Sequence, residues 1–122
     1  MTDSDPLKTF GYVIGKLDQL GILYVHLVEA SEDDIRQGGS MVPTDRLRPL
    51  FRRTLIVNGG YDRERADAVI RSGVADLVSF GKAFLANPDL PQRLKIGAAL
   101  NVPDPQTFYG GGEKGYVDYS AL

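Results

Sequence analysis

Cysteine is absent from the 122 residues, which removes disulfides, thiolate nucleophiles and cysteine-ligated metals in one step. Histidine is almost absent: His26 stands alone, so neither a histidine pair for a metal nor an HExxH-type motif exists. No apolar run approaches the ~20 residues of a membrane span. The opening MTDSDPLK is acidic and lacks the cationic start and apolar stretch of a signal peptide. An excess of basic charge is missing too. The formal net charge is −2, which gives no field to attract nucleic acid or an anionic bilayer. These absences predict a cytoplasmic protein whose partners include no nucleic acid and no membrane. The chain is also short for a whole (β/α) barrel, which takes about 250 residues, although it is long enough to bury a modest core.

What is present has a clear order. Asp5-Pro6 reads as an N-cap followed by proline at the first helical position. Leu7, Phe10, Val13, Ile14, Leu17 and Leu20 then recur at helical spacing up to a stop at Gly21. ILYVHLV, residues 22–28, is a near-continuous apolar run of the kind found in strands covered on both faces. The polar loop EASEDDIRQGGSM follows. A helix is expected over 45–53, limited in regularity by Pro49. TLIVNGG, 54–60, gives a second strand. YDRERADAVIRSG gives a helix that turns Ala66, Val69 and Ile70 to the sheet, ADLVSFG a third strand, and KAFLANPDL another helix. Alternation of this kind implies an α/β fold with a parallel sheet. The count is three strands, not eight. The segment 101–122 has no helical period, but its four aromatics suit an ordered tail better than a flexible linker.

Two glycine turns follow consecutive strands, Asn58-Gly59-Gly60 and Phe80-Gly81-Lys82. Ligands of α/β folds bind at the C-terminal strand edge. Backbone N–H groups that are unobstructed by side chains, with a lysine at a helix start, suit a phosphate monoester. Glycine also ends strands for purely local reasons, and spacing alone leaves both readings open. Neither a GxGxxG nor a GxxxxGK[ST] pattern is present, so nothing supports a dinucleotide fingerprint or a P-loop.

TLIVNGGYD, ADLVSFGKAFLANPDLPQRL and TFYGGGEKGYVDY, in this order, strongly resemble the C-terminal part of the Old Yellow Enzyme family. Members of that family are FMN-dependent NAD(P)H ene-reductases, related to N-ethylmaleimide reductase. DSDPLKTFGYVIGKLDQLGILYVHLVE is similar to the helix and strand before those motifs, so the resemblance covers nearly the whole chain. It implies that the fold is the last three β/α units of a (β/α)8 TIM barrel. It further implies one partial-barrel domain over 1–122, with β/α units in 1–100 and the tail 101–122 packed on them. By the same resemblance, Asn58, Gly59 and Gly60 form one side of a cradle for the flavin phosphate, and Gly81 with Lys82 the other. Lys82 stands where the family usually has arginine; lysine keeps the charge and loses the planar fork. Phe108 and Tyr109 would lie near the flavin ring and the substrate mouth.

The resemblance also implies what lies elsewhere. The residues that orient the substrate carbonyl, the tyrosine proton donor and the flavin-ring contacts belong to earlier strands. Residues 1–122 therefore hold no expected catalytic acid, and the chain reads as a truncated or split piece, inactive alone. In the complete enzyme NAD(P)H would reduce FMN, and an α,β-unsaturated carbonyl or nitro compound would be reduced in turn. A three-stranded piece would leave open edges and an uncovered inner face, which points to a homo-oligomer or to a partner carrying the missing barrel half. The alternative is a non-catalytic, self-associating module with weak phosphate-ligand binding or none. Among the remaining residues, His26 reads as a packed or hydrogen-bonded core residue of its strand. Serines 31, 40, 79 and 120 show no nearby histidine base, which argues against a hydrolase triad. Glu29, Glu32, Asp33 and Asp34 read as solvated loop charge, and Tyr116 and Tyr119 as packing for the tail.

Overall fold

The computed structural model describes residues 3–31, 35–36, 41–110 and 112–122. Its elements are α1 (Pro6–Gln19), β1 (Tyr24–Val28), α2 (Thr44–Leu47), β2 (Thr54–Asn58), α3 (Arg63–Arg71), β3 (Leu77–Val78), α4 (Lys82–Ala86) and α5 (Leu90–Ile96). Short 3-10 turns cover Arg48–Leu50 and Pro105–Thr107. The three strands form a parallel sheet in the order β1-β2-β3. Tyr24 is in register with Thr54 and Val28 with Asn58, while Ile56 pairs with Leu77. The chain divides into two compact units, residues 1–79 and 80–122.

Unit 1 is built from the sheet and the helices before it. Asp5 caps α1 by accepting from the Lys8 amide at 3.2 Å, and Gly21 ends it with φ +73°. The exit of α1 is tied to the entry of β2 by Asp18, a buried carboxylate. It accepts from the Arg52 amide and the Arg52 Nε, both at 2.9 Å. The Arg52 amide, then the guanidinium, hold the Asp18 carboxyl below the usual carboxylate range. A second carboxylate, Asp76, stitches β2 toward β3. It accepts from the Leu55 amide at 2.8 Å and from Arg48 at 2.7 Å, and its carboxyl too is held low, first by that amide. Ile14, Val25, Leu47, Phe51 and Leu55 form the core, with Leu17, Leu27 and Val42 packed on it.

Several expected elements shifted. The 45–53 helix is one α-turn followed by a 3-10 turn, because Pro49 has no N–H to continue the ladder. β3 pairs over two residues only, although Asp76 N–H to Leu55 O and Ser79 N–H to Val57 O, each 2.9 Å, extend its contact with β2. On α3, Ala66 is buried and Val69 half-buried, while Ile70 is exposed. The sheet is not covered on both faces. Val25, Leu55 and Val57 are buried on one face, whereas Tyr24, His26, Val28 and Leu77 on the other are exposed. The apolar pattern of the strands therefore has a covering for one side only among the described residues.

Unit 2 carries α4, α5 and the tail. Buried Asn87 donates to Ala83 O at 2.8 Å and accepts from the Asn101 amide at 2.7 Å. Arg93, also buried, binds Asp89 through Nε at 2.7 Å, Ala99 O at 2.7 Å and Ser120 O at 2.9 Å. Asp89 in turn accepts from the Leu122 amide at 2.8 Å. Leu122 N–H and Arg93 together keep the Asp89 carboxyl below its ordinary value. These bonds give the tail its order. Tyr119 takes part through its hydroxyl, which accepts from the Asp104 amide at 2.9 Å. Tyr116 is exposed and does not pack the tail as the sequence suggested. Gly115 is buried with φ +74°, and a Cβ there would collide with Thr107.

Candidate functional site

In unit 1 the site residues lie where β2 ends. Asn58 is the last residue of the strand, and Gly59 and Gly60 take the turn with φ of +155° and +62°. Gly59 is required sterically, since a Cβ there would stand 2.9 Å from the Glu29 Cβ. A Cβ on Gly60 would meet open space. The Gly59 and Gly60 amides donate to no acceptor among the described residues, which leaves them for water or a ligand. The Asn58 side-chain amine is already engaged: it donates to Ser79 O at 2.9 Å and to Ser79 Oγ at 3.1 Å. What Asn58 can offer a ligand is thus its position at the strand end rather than that amine.

Residues that the sequence reading passed over surround this turn. The Thr44 hydroxyl donates to Glu29 Oε1, and the Tyr61 phenol feels the Glu29 carboxylate. Burial, then the Glu29 hydrogen bond and charge, push the Tyr61 phenol up to about 12. Arg65 sits 5.1 Å from the Tyr61 ring centroid and donates to Gly60 O at 2.9 Å. Asp62 caps the helix that follows, accepting from the Arg65 amide at 2.8 Å. Glu29 is therefore bonded rather than merely solvated. Glu32, Asp33, Asp34 and Ser40 lie outside the described residues.

His26 is exposed, not packed, and its Nε2 lies 2.8 Å from Ser79 Oγ. Ser79 thus does have a histidine beside it, contrary to the reading of the sequence, where 53 positions separate the pair. No carboxylate is hydrogen-bonded to His26 among the described residues, so the third member of a triad is not there.

In unit 2, Gly81 is the N-cap position of α4 and carries no side-chain cap bond. A Cβ on it would meet nothing within 4 Å. Lys82 opens the helix and is exposed; among the described residues it has no carboxylate partner. Its Nζ lies 5.8 Å from the Phe108 ring centroid, a cation–π contact that aims the lysine. Lys82 and Phe108 are thus brought together. Tyr109 stands apart, 95% exposed. No group of three or more metal-ligating side chains is present among the described residues, and no helix among them is long and apolar enough to cross a membrane.

The profile of the NADH:flavin oxidoreductase / NADH oxidase family matches residues 11–101, and the chain belongs to that family. Among curated relatives, 12-oxophytodienoate reductase 1 of Oryza sativa subsp. japonica is 43% identical over 124 residues, which is 98% of this chain and 32% of the relative. Among solved structures, morphinone reductase superposes with a TM-score of 0.86 at 45% identity, covering 98% of this chain and 32% of that one. The old yellow enzyme from Trypanosoma cruzi gives 0.88 at 34% identity, covering 98% and 31%. These neighbours are TIM barrels, and the three-stranded sheet is a fragment of that fold. The chain spans about a third of the length of the relatives it matches.

Proposed function

We propose that this chain supplies the FMN-phosphate end of an NAD(P)H-dependent ene-reductase that reduces activated alkenes or nitro compounds, and that it does not turn over substrate alone. Asn58, Gly59, Gly60, Gly81 and Lys82 would hold the phosphate, with Phe108 and Tyr109 toward the ring and substrate. The observation that carries this reading is the pair of Gly59 and Gly60 amides, which have no acceptor among the described residues at the end of β2. A phosphate monoester needs such donors and a cation. Lys82 offers a cation with no carboxylate partner among the described residues. The Glu29 charge beside Gly59 opposes an anion, but the Thr44 hydroxyl that donates to it reduces that opposition.

FMN, when bound, supplies hydride chemistry, while protein groups bind and orient it. A nicotinamide reductant is supported by a morphinone reductase structure in complex with tetrahydroNAD, 45% identical to this chain. An activated-alkene substrate is supported by the 12-oxophytodienoate and morphinone reductases among the relatives. The chain's one-third share of their length supports the reading that it does not turn over substrate alone.

Titration of the purified chain with FMN, followed by gel filtration, tests the proposal. Flavin absorbance travelling with the protein is the expected result. Protein that elutes colourless at saturating FMN overturns it.

The exposed sheet face favours a second reading, a self-associating module. Tyr24, Val28 and Leu77 are apolar and at least half exposed there, and apolar surface of this kind favours association.

A further inference from the structure

The glycine turn at the end of β2 is held by a polar network that crosses all three strands. His26 of β1 reaches Ser79 Oγ with Nε2 at 2.8 Å. Asn58 of β2 donates to the same Oγ at 3.1 Å and to the Ser79 carbonyl at 2.9 Å. Ser79 follows β3 directly. The Glu29 amide completes the pattern by donating to Asn58 O at 2.8 Å. Asn58 is thereby fixed through its side chain on one flank and its carbonyl on the other. The two residues that follow are the glycines whose amides have no acceptor among the described residues.

A backbone turn with two glycines is conformationally loose, because glycine samples positive and negative φ alike. Donors that must be aimed at one anion gain from having that entropy removed beforehand. The strand ladder alone does not do this, since β3 pairs formally over two residues only. The side-chain network supplies the missing constraint at the place where the ladder stops. Ser79 is well suited to the centre, since its hydroxyl accepts from Asn58 and shares a proton with either form of the imidazole.

We propose that His26 and Ser79 are positioning residues that set the Asn58-Gly59-Gly60 backbone for a phosphate, acting through the Asn58 side chain and touching no ligand themselves. This inference rests on the phosphate reading of the turn. It assigns a use to the Ser–His pair that requires no nucleophilic chemistry, and it explains why an exposed histidine is spent on a serine.

The test compares FMN with riboflavin, which lacks the phosphate, by flavin fluorescence titration of the wild-type chain and of Ser79→Ala, His26→Leu and His26→Gln. Amide shifts of Gly59 and Gly60 are followed by 15N NMR in all four. Losing one hydrogen bond of this kind is expected to cost about tenfold in FMN affinity. Ser79→Ala and His26→Leu should show that loss with riboflavin unchanged, and His26→Gln, which keeps a donor and acceptor at the same reach, should restore most of it. The Gly59 and Gly60 amide resonances should shift and broaden in the first two variants only. Equal losses for FMN and riboflavin, or no loss, overturn the positioning role. A wild-type chain that prefers FMN no more than riboflavin removes the phosphate reading. Positioning is then decided by the amide shifts alone, and unmoved Gly59 and Gly60 resonances overturn it.

Discussion

At the scale of single residues, the two glycine turns differ in what they tolerate. Gly59 is pressed against Glu29, whereas Gly81 has open space around it and stands at the uncapped start of a helix. Aspartate is a favoured N-cap, only a few tenths of a kcal/mol better than glycine there, so Gly81→Asp should leave thermal stability unchanged or raise it by about 0.3 kcal/mol. The same carboxylate would repel a phosphate and lower FMN affinity by more than about tenfold. Calorimetry and flavin titration read the two effects separately, and unchanged affinity would remove Gly81 from the site. Tyr61 carries a second prediction. Its phenol, raised from 10.0 to about 12, is neutral in both folded and unfolded chains below pH 10, so its stabilisation is fully present there. It is lost as pH rises from about 10 toward 12, because the unfolded chain ionises first. Absorbance titration at 295 nm should show one late tyrosine that vanishes in Tyr61→Phe; six tyrosines titrating together near 10 would refute it.

At the scale of elements, local signals were legible where chemistry is local. Asp5-Pro6 and Gly21 bracket α1, and the parallel order of the strands followed from their alternation with helices. The resemblance to a barrel family agrees with the family match. What stayed hidden depends on pairs far apart in sequence. No pattern in the chain joins His26 to Ser79, or Arg93 to Ser120. Residues 82–96 also form two helices, separated by an Asn87 that spends its side chain on the tail and by Pro88. Arg93 makes the sharpest element-scale prediction. Removing this buried guanidinium takes the cation from Asp89, which keeps the Leu122 amide, takes one of two donors from Ser120 O, and leaves Ala99 O without its donor, a change that costs about 1–3 kcal/mol. Arg93→Ala should therefore release the tail, seen as rapid proteolytic cleavage within 101–122 while unit 1 stays protected. Cleavage no faster than wild type would show that the tail is held by other bonds.

At the scale of the whole molecule, unit 1 presents two apolar surfaces to solvent. One is the open sheet face, where Val28 is 76% exposed; the other is the α1 stripe of Leu7, Phe10 and Val13. Sedimentation velocity should show mass above the 13.3 kDa of one chain as concentration rises. Val28→Lys with Leu77→Lys should return it toward that value, both positions being exposed enough to accept lysine without unfolding. A wild type that sediments as a single chain at every concentration would end the self-association reading. The strand order has a different consequence. Because β1, β2 and β3 lie side by side in the same sequence in which they are encoded, no pairing has to be broken when a further β/α unit is appended before or after them. In evolutionary terms the segment is modular: an open run of β/α units has two free sheet edges that can accept neighbours without rewiring the pairings inside it.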